Sequence, residues 1–148
     1  MNFESFISKF AGIVIEYIKI GNKYFLADAS LTELAKKLNT KTESIGLFLG
    51  EEKNEKFMPS LALLEILAKV SDEKVIVNNI GELDFLYKKD IKKRHIKGFS
   101  GGPKEGFLKL VLNESDDCIG YGKISKDLDS ETPELANILD RGNFLRRE

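Results

Sequence analysis

The sequence predicts an α+β protein in two parts. Three observations carry that expectation. Helical apolar stripes alternate with short β-branched runs along the chain. Several of those runs are separated only by short polar turns, the arrangement of hairpins. A polar break, Ser71-Asp72-Glu73, interrupts the pattern near the middle. With 148 residues, 42% of them hydrophobic, the chain can bury a core in one or two small domains. The break divides it into an N-terminal α/β domain with a mainly antiparallel sheet, residues 1–71, and a second domain, residues 72–148.

In the first part, Phe3, Phe6, Ile7 and Phe10 recur at helical spacing and predict a helix over Met1–Ala11, ended by Gly12. Ile13–Ile20 and Lys23–Ala27 read as strands around the turn Gly21-Asn22. Ser30, with Glu33 three residues on, is the capping box of a helix whose buried stripe is Leu31, Leu34, Ala35 and Leu38. Ser44–Leu49 reads as a strand and Gly50–Lys56 as a charged loop. Pro59 opens the first turn of a Leu- and Ile-rich helix running through Val70.

In the second part, Lys74–Asn78 is a strand. Asn79 and Glu82 form an N-x-x-E pair that caps a short helix through Lys88. Phe107–Leu112 and Cys118–Ile124 are strands of a hairpin closed by the polar loop Asn113–Asp117. Leu135–Leu139 fits either a helix opened by Pro133 or a strand. Phe144–Arg147 reads as a final strand after the turn Asp140-Arg141-Gly142.

Net charge is only -1, but its distribution is uneven. From Lys88 to Lys109 eight cations face two acids, a local charge of +6; from Glu114 to Glu134 seven acids face two lysines, a local charge of -5. The basic block follows the apolar turn Leu83-Asp84-Phe85-Leu86-Tyr87, and only Asp90 interrupts its first six cations. Concentrated cations beside apolar anchors predict a surface that meets a polyanion.

Other chemistries fail on spacing or composition. The loop Gly98–Lys104 has Pro103 where a phosphate-binding loop needs its Gly-Lys-Ser/Thr, so it reads as a strand connection. Gly120-Tyr121-Gly122 reads as close backbone packing within a strand. Asp127–Glu131 copies the first ligands of a calcium loop, but Thr132 and Ile138 occupy the positions of its required Gly and Glu. His95 is the only histidine, so no histidine-based metal cluster is expected; it reads as a surface residue or a contact to a base or phosphate. Cys118, the only cysteine, can form no intrachain disulfide and reads as a small buried strand residue. No nucleophile motif or catalytic carboxylate pair emerges, and no metal or cofactor is expected. The first residues lack the pattern of a signal peptide, and the run Ile13-Val14-Ile15 is far too short to span a bilayer. A cytoplasmic protein without a membrane partner is expected, nucleolar or nuclear in a eukaryotic source.

One family shares these residues. The run from Lys56 to Ile96, with Phe57, the helix Leu61–Leu67, Lys74-Val75, Glu82, Phe85-Leu86-Tyr87 and Asp90-Ile91, resembles the Nip-seven family of large-subunit ribosome biogenesis factors. Gly120-Tyr121-Gly122, Asp140-x-Gly142-x-Phe144-Leu145-Arg146 and the segment Gly21–Leu38 extend the resemblance. It implies an N-terminal α/β domain followed by a C-terminal PUA-like mixed β-barrel. It also implies that RNA meets the first helix of that barrel, the following strand and the last strand. The family carries a glycine directly after its Leu-Tyr pair, where this chain has Lys88.

The expected function is a non-catalytic RNA-binding factor in large ribosomal subunit biogenesis and rRNA processing, its partner rRNA or a pre-ribosomal particle. Lys88, Lys89, Lys92, Lys93, Arg94, Arg146 and Arg147 are the expected phosphate contacts, with Lys97, Lys104 and Arg141 in second rank. Tyr87 and Phe144 lie in apolar runs and read as core. Two other readings stand beside this one. The N-terminal domain has nearly balanced charge and many apolar residues, and would serve an adaptor docking on assembly factors or an RNA-processing complex. A stand-alone PUA protein accompanying an RNA-modifying enzyme is the third.

Overall fold

The structure, a computed structural model, describes residues 1–27 and 47–142. It divides into two units, Met1–Lys69 and Val70–Glu148. The helix expected from Ser30 and the final strand expected at Phe144–Arg147 lie outside the described residues.

In the first unit, α1 (Phe3–Ser8) starts where the Asn2 side chain accepts the Ser5 N–H at 2.8 Å. It is shorter than expected, ending at Ser8, although Phe10, the last residue of the predicted stripe, is buried beyond its end against Phe6. β1 (Tyr17–Ile20) and β2 (Lys23–Leu26) form the expected hairpin across Gly21, although β1 begins four residues later than the apolar run suggested. Residues 48–59 overturn an expectation. The charged loop at 50–56 is a hairpin, β3 (Phe48–Lys53) and β4 (Lys56–Pro59), turned by Asn54 and Glu55, both at positive φ. Such primed turns usually announce themselves with glycine, and this one has none. Pro59 therefore ends a strand, and the helix starts later, at Leu61. In α2 (Leu61–Val70), Ser60 Oγ accepts the Leu63 N–H at 3.1 Å and caps the first turn. The four strands form one antiparallel sheet in sequence order. Phe3 packs on it against Tyr24 (ring centroids 4.9 Å apart) and Phe57 (5.3 Å).

The second unit is a six-stranded mixed sheet. Its strands are β5 (Lys74–Val77), β6 (Ile91–Lys92), β7 (Ile96–Ser100), β8 (Leu108–Leu112), β9 (Cys118–Lys126) and β10 (Glu134–Asp140), in the order β6-β10-β9-β8-β5-β7. Only β5 and β8 are parallel. Leu135–Leu139, ambiguous in sequence, is therefore a strand. Register shifts in the β8–β9 and β9–β10 ladders bend the sheet around its core. That core is built from Val75, Val77, Ile91, Val111, Ile119, Ile124, Leu128 and Leu135, with Phe85 from α3 (Asn79–Leu86). Each such side chain contributes about 1.5–3 kcal/mol by leaving water. Cys118 is buried in β9, as expected. The close packing expected at Gly120-Tyr121-Gly122 is present: a Cβ on Gly120 would lie 2.1 Å from the Leu139 carbonyl oxygen.

Candidate nucleic-acid interface

The basic segment hangs on one asparagine. Asn78, not Asn79, is the N-cap of α3: its Oδ1 accepts the Gly81 N–H at 2.8 Å. Its Nδ2 donates to the Arg94 carbonyl oxygen at 2.8 Å, and its backbone N–H to that of His95 at 2.9 Å. Glu82, the expected capping partner, instead accepts a bond from Asn113 Nδ2. Gly81 allows this close approach, since a Cβ there would sit 2.8 Å from the His95 Cβ.

α3 ends at Leu86, before the lysines that were expected to continue it. The Lys88 N–H donates to the Phe85 carbonyl and the Lys89 N–H to that of Asp84, which together make a Schellman closure. Its left-handed position, usually glycine, is held by Lys88 at φ +68°. Asn137 then clamps the chain, donating from Nδ2 to the Phe85 carbonyl at 2.8 Å and from its backbone N–H to Asp90 Oδ1 at 2.9 Å. Asp90, which interrupts the cations in sequence, is thus committed to β10.

After β6 the chain makes a 3-10 turn, Lys93–His95. His95 corrects the sequence reading: it is 1% exposed and belongs to the interior, not the surface. Its ring accepts the Lys92 N–H at Nδ1 and meets Asp84 Oδ2 at Nε2. Tyr87 corrects it in the other direction. Expected in the core, it is 70% exposed, and with Ile80 and Leu83 it forms an apolar stripe on the outer face of α3.

The expected contacts are not equivalent in space. Lys92 Nζ lies 2.6 Å from Glu134 Oε2, and this bond holds the Glu134 carboxyl below the usual carboxylate range. Lys89 and Arg94 each stand 3.9 Å from Asp84. Among the described residues, Lys88 and Lys93 have no carboxylate within ion-pair reach. In second rank, Lys97 pairs with Glu114 at 3.0 Å, and Lys104 with Asp127 at 3.5 Å and Asp129 at 3.4 Å. The two aspartates raise the Lys104 pKa, Asp129 the more strongly. Lys109, part of the basic count, is buried and bonds Glu73 Oε2 and the Ser100 carbonyl, each at 2.6 Å. The basic and acidic blocks, separate in sequence, therefore partly neutralise each other in space. Arg146, Arg147 and Phe144 lie outside the described residues. Among those described, no group of three or more His, Cys, Asp or Glu is placed to hold a metal ion, and no helix is long and apolar enough to cross a membrane.

Residues 73–148 match the family described as the UPF0113 PUA domain. The chain belongs to this family. Among its relatives is a UPF0113 protein of Archaeoglobus fulgidus, 34% identical over an alignment of 109 residues that covers 70% of this chain and 62% of the relative. Another is the 60S ribosome subunit biogenesis protein NIP7 of Saccharomyces cerevisiae, 30% identical over 112 residues, 71% of this chain and 62% of that protein. The chain thus spans less than two thirds of the length of the curated relatives it matches. The resemblance to the Nip-seven family is met by the yeast relative. Two solved structures share the fold. A conserved PUA domain protein from Thermoplasma acidophilum has a TM-score of 0.56 at 16% identity, covering 84% of this chain and 97% of its own. A PUA domain from Aeropyrum pernix K1 has a TM-score of 0.57 at 12% identity, covering 88% and 94%. The expected fold class, an α+β chain ending in a PUA-like mixed β-barrel, is the one observed.

Proposed function

We propose that this UPF0113 PUA protein is a non-catalytic RNA-binding factor in assembly of the large ribosomal subunit. One observation carries the site. Lys88 and Lys93 stand without carboxylate partners among the described residues, on a segment pinned at Asn78, His95 and Asn137, and Tyr87, next to Lys88 in sequence, exposes its ring. Unpaired cations on a rigid segment hold phosphates at little ordering cost, and an exposed aromatic offers a face to a base. Lys89, Lys92 and Arg94 are about half or more exposed and pair with the partly covered carboxylates of Asp84 and Glu134, so each can turn from its carboxylate to a phosphate at modest cost. Arg146 and Arg147 complete the phosphate contacts in this reading. The kinship with the yeast 60S biogenesis protein supports rRNA or a pre-ribosomal particle as the partner.

The test is the salt dependence of binding to a fluorescent single-stranded rRNA fragment. With about five phosphates engaged, the log–log slope is expected near -3.5. A slope near zero, or unchanged affinity after Lys88 and Lys93 are both changed to Glu, would exclude this site.

A further inference from the structure

The first unit carries a second surface with different chemistry. Among the described residues β1 has a sheet neighbour, β2, on one side only. Edge strands are ordinarily blunted by charge or proline; β1 carries one such charge, Lys19, turned to Glu52, and it also exposes Ile18 and Ile20, at 52% and 65%. Successive side chains of a strand alternate between faces, so Ile18 and Ile20 share one face and Tyr17 and Lys19 the other.

On that other face lies an open cleft of about 350 Å³, walled by Phe3, Tyr17 and Tyr24 and carrying Glu4 and Glu52. The Tyr17 hydroxyl donates to Glu4 Oε1 at 3.1 Å, and the Tyr24 hydroxyl donates to Glu52 Oε1. Both carboxylates are therefore oriented by phenols. The cleft already receives one cation of its own: Lys19 Nζ stands 3.7 Å from Glu52 Oε2 and 5.3 Å from the Tyr24 ring centroid. Two carboxylates face this single lysine, so one negative charge stays uncompensated among the residues lining the cleft. Aromatic walls with oriented carboxylates favour an ammonium or guanidinium group.

We propose that β1 and this cleft bind an extended basic peptide of a protein partner by strand addition. The peptide's backbone pairs with the edge of β1 that has no sheet neighbour among the described residues. Its alternate residues then fall on opposite faces: Arg or Lys enters the cleft between Glu4 and Glu52, and apolar residues lie beside Ile18 and Ile20. The fitting partner is a segment that alternates basic and apolar residues. This site is independent of the RNA reading, because its residues belong to the other unit.

The test titrates the whole chain with acetylated, amidated Val-Arg-Val-Arg-Val and, as control, Val-Glu-Val-Glu-Val. It follows the backbone amides of residues 17–20 by NMR and tyrosine fluorescence. Saturable binding of the basic peptide is expected, with shifts on β1, and no binding of the acidic one. Glu52→Gln and, separately, Glu4→Gln are expected to weaken binding about tenfold, as loss of a charge-assisted contact does, with unchanged circular dichroism. Equal binding of both peptides, no binding at millimolar concentration, or unaltered affinity in both variants would overturn the proposal. So would a concentration-dependent dimer in sedimentation that Ile18→Lys dissolves, since β1 would then pair with a second copy of itself.

Discussion

The imidazole of His95 meets the carboxylate of Asp84 at 3.0 Å, joining the basic turn to the helix before it. Nδ1 accepts the Lys92 N–H at 2.9 Å, so the neutral ring carries its proton on Nε2 and donates it to Asp84. The ring is buried and presents nothing to a ligand. It nevertheless sets the course of the segment bearing Lys92, Lys93 and Arg94. His95→Ala leaves the Lys92 N–H and the Asp84 carboxylate without this partner and is expected to cost about 2–3 kcal/mol in urea unfolding. RNA affinity should fall with it under conditions where the variant is still folded. A variant that unfolds with its parent and binds equally well would show that the ring positions nothing.

Lys88 occupies the left-handed residue of the Schellman closure. A lysine there costs about 1 kcal/mol relative to glycine. Lys88→Gly is therefore expected to raise stability by about that amount while weakening RNA binding. The log–log salt slope should become shallower by about 0.7, the contribution of one phosphate on a single strand. Thermal melts and fluorescence anisotropy on the same samples check both halves. A variant that gains stability and loses no affinity would remove Lys88 from the interface.

Lys92 and Lys93 are adjacent in sequence and differ in their surroundings. Lys92 bonds Glu134 on β10, whereas Lys93 has no carboxylate partner among the described residues. Lys93→Ala should reduce RNA affinity and leave the melting temperature unchanged. Lys92→Ala should also lower stability, by no more than about 1 kcal/mol because the pair is partly exposed. Equal losses of stability in the two variants would contradict the arrangement.

Burial pushes the Tyr121 phenol up to about 12, and burial together with the bond to Glu52 pushes Tyr24 to about 12. The folded state favours the protonated phenols. Their contribution to stability is therefore fully present below pH 10, the ordinary tyrosine value, and is lost as pH rises through about 12. Phenolate absorbance should show Tyr24 and Tyr121 titrating late, together with alkaline unfolding. Tyr24→Phe and Tyr121→Phe assign the two steps.

Local signals were legible wherever a residue acts on its near neighbours. The hairpin at Gly21, the strand from Lys74, the hairpin closed by Asn113–Asp117 and the tight packing at Gly120 all rest on turn chemistry or on alternation over a few residues. The hairpin at Asn54-Glu55 was not legible, because its left-handed turn contains no glycine. Nor was the cap at Asn78, since Asn79 offers the same local chemistry one residue later.

The basic segment itself, its apolar anchor and its family were determined by sequence alone, because composition and motif spacing need no folding to be read. Which cations remain free was decided only by the tertiary structure. Ion pairs depend on distance in space, and the fold brings Glu134 to Lys92, Glu114 to Lys97, and Asp127 and Asp129 to Lys104 from a block that looked separate. Burial did the same for His95, Tyr87 and Lys109. Whether a polar or aromatic side chain meets water or protein is set by the packing of distant elements, and no local pattern encodes it.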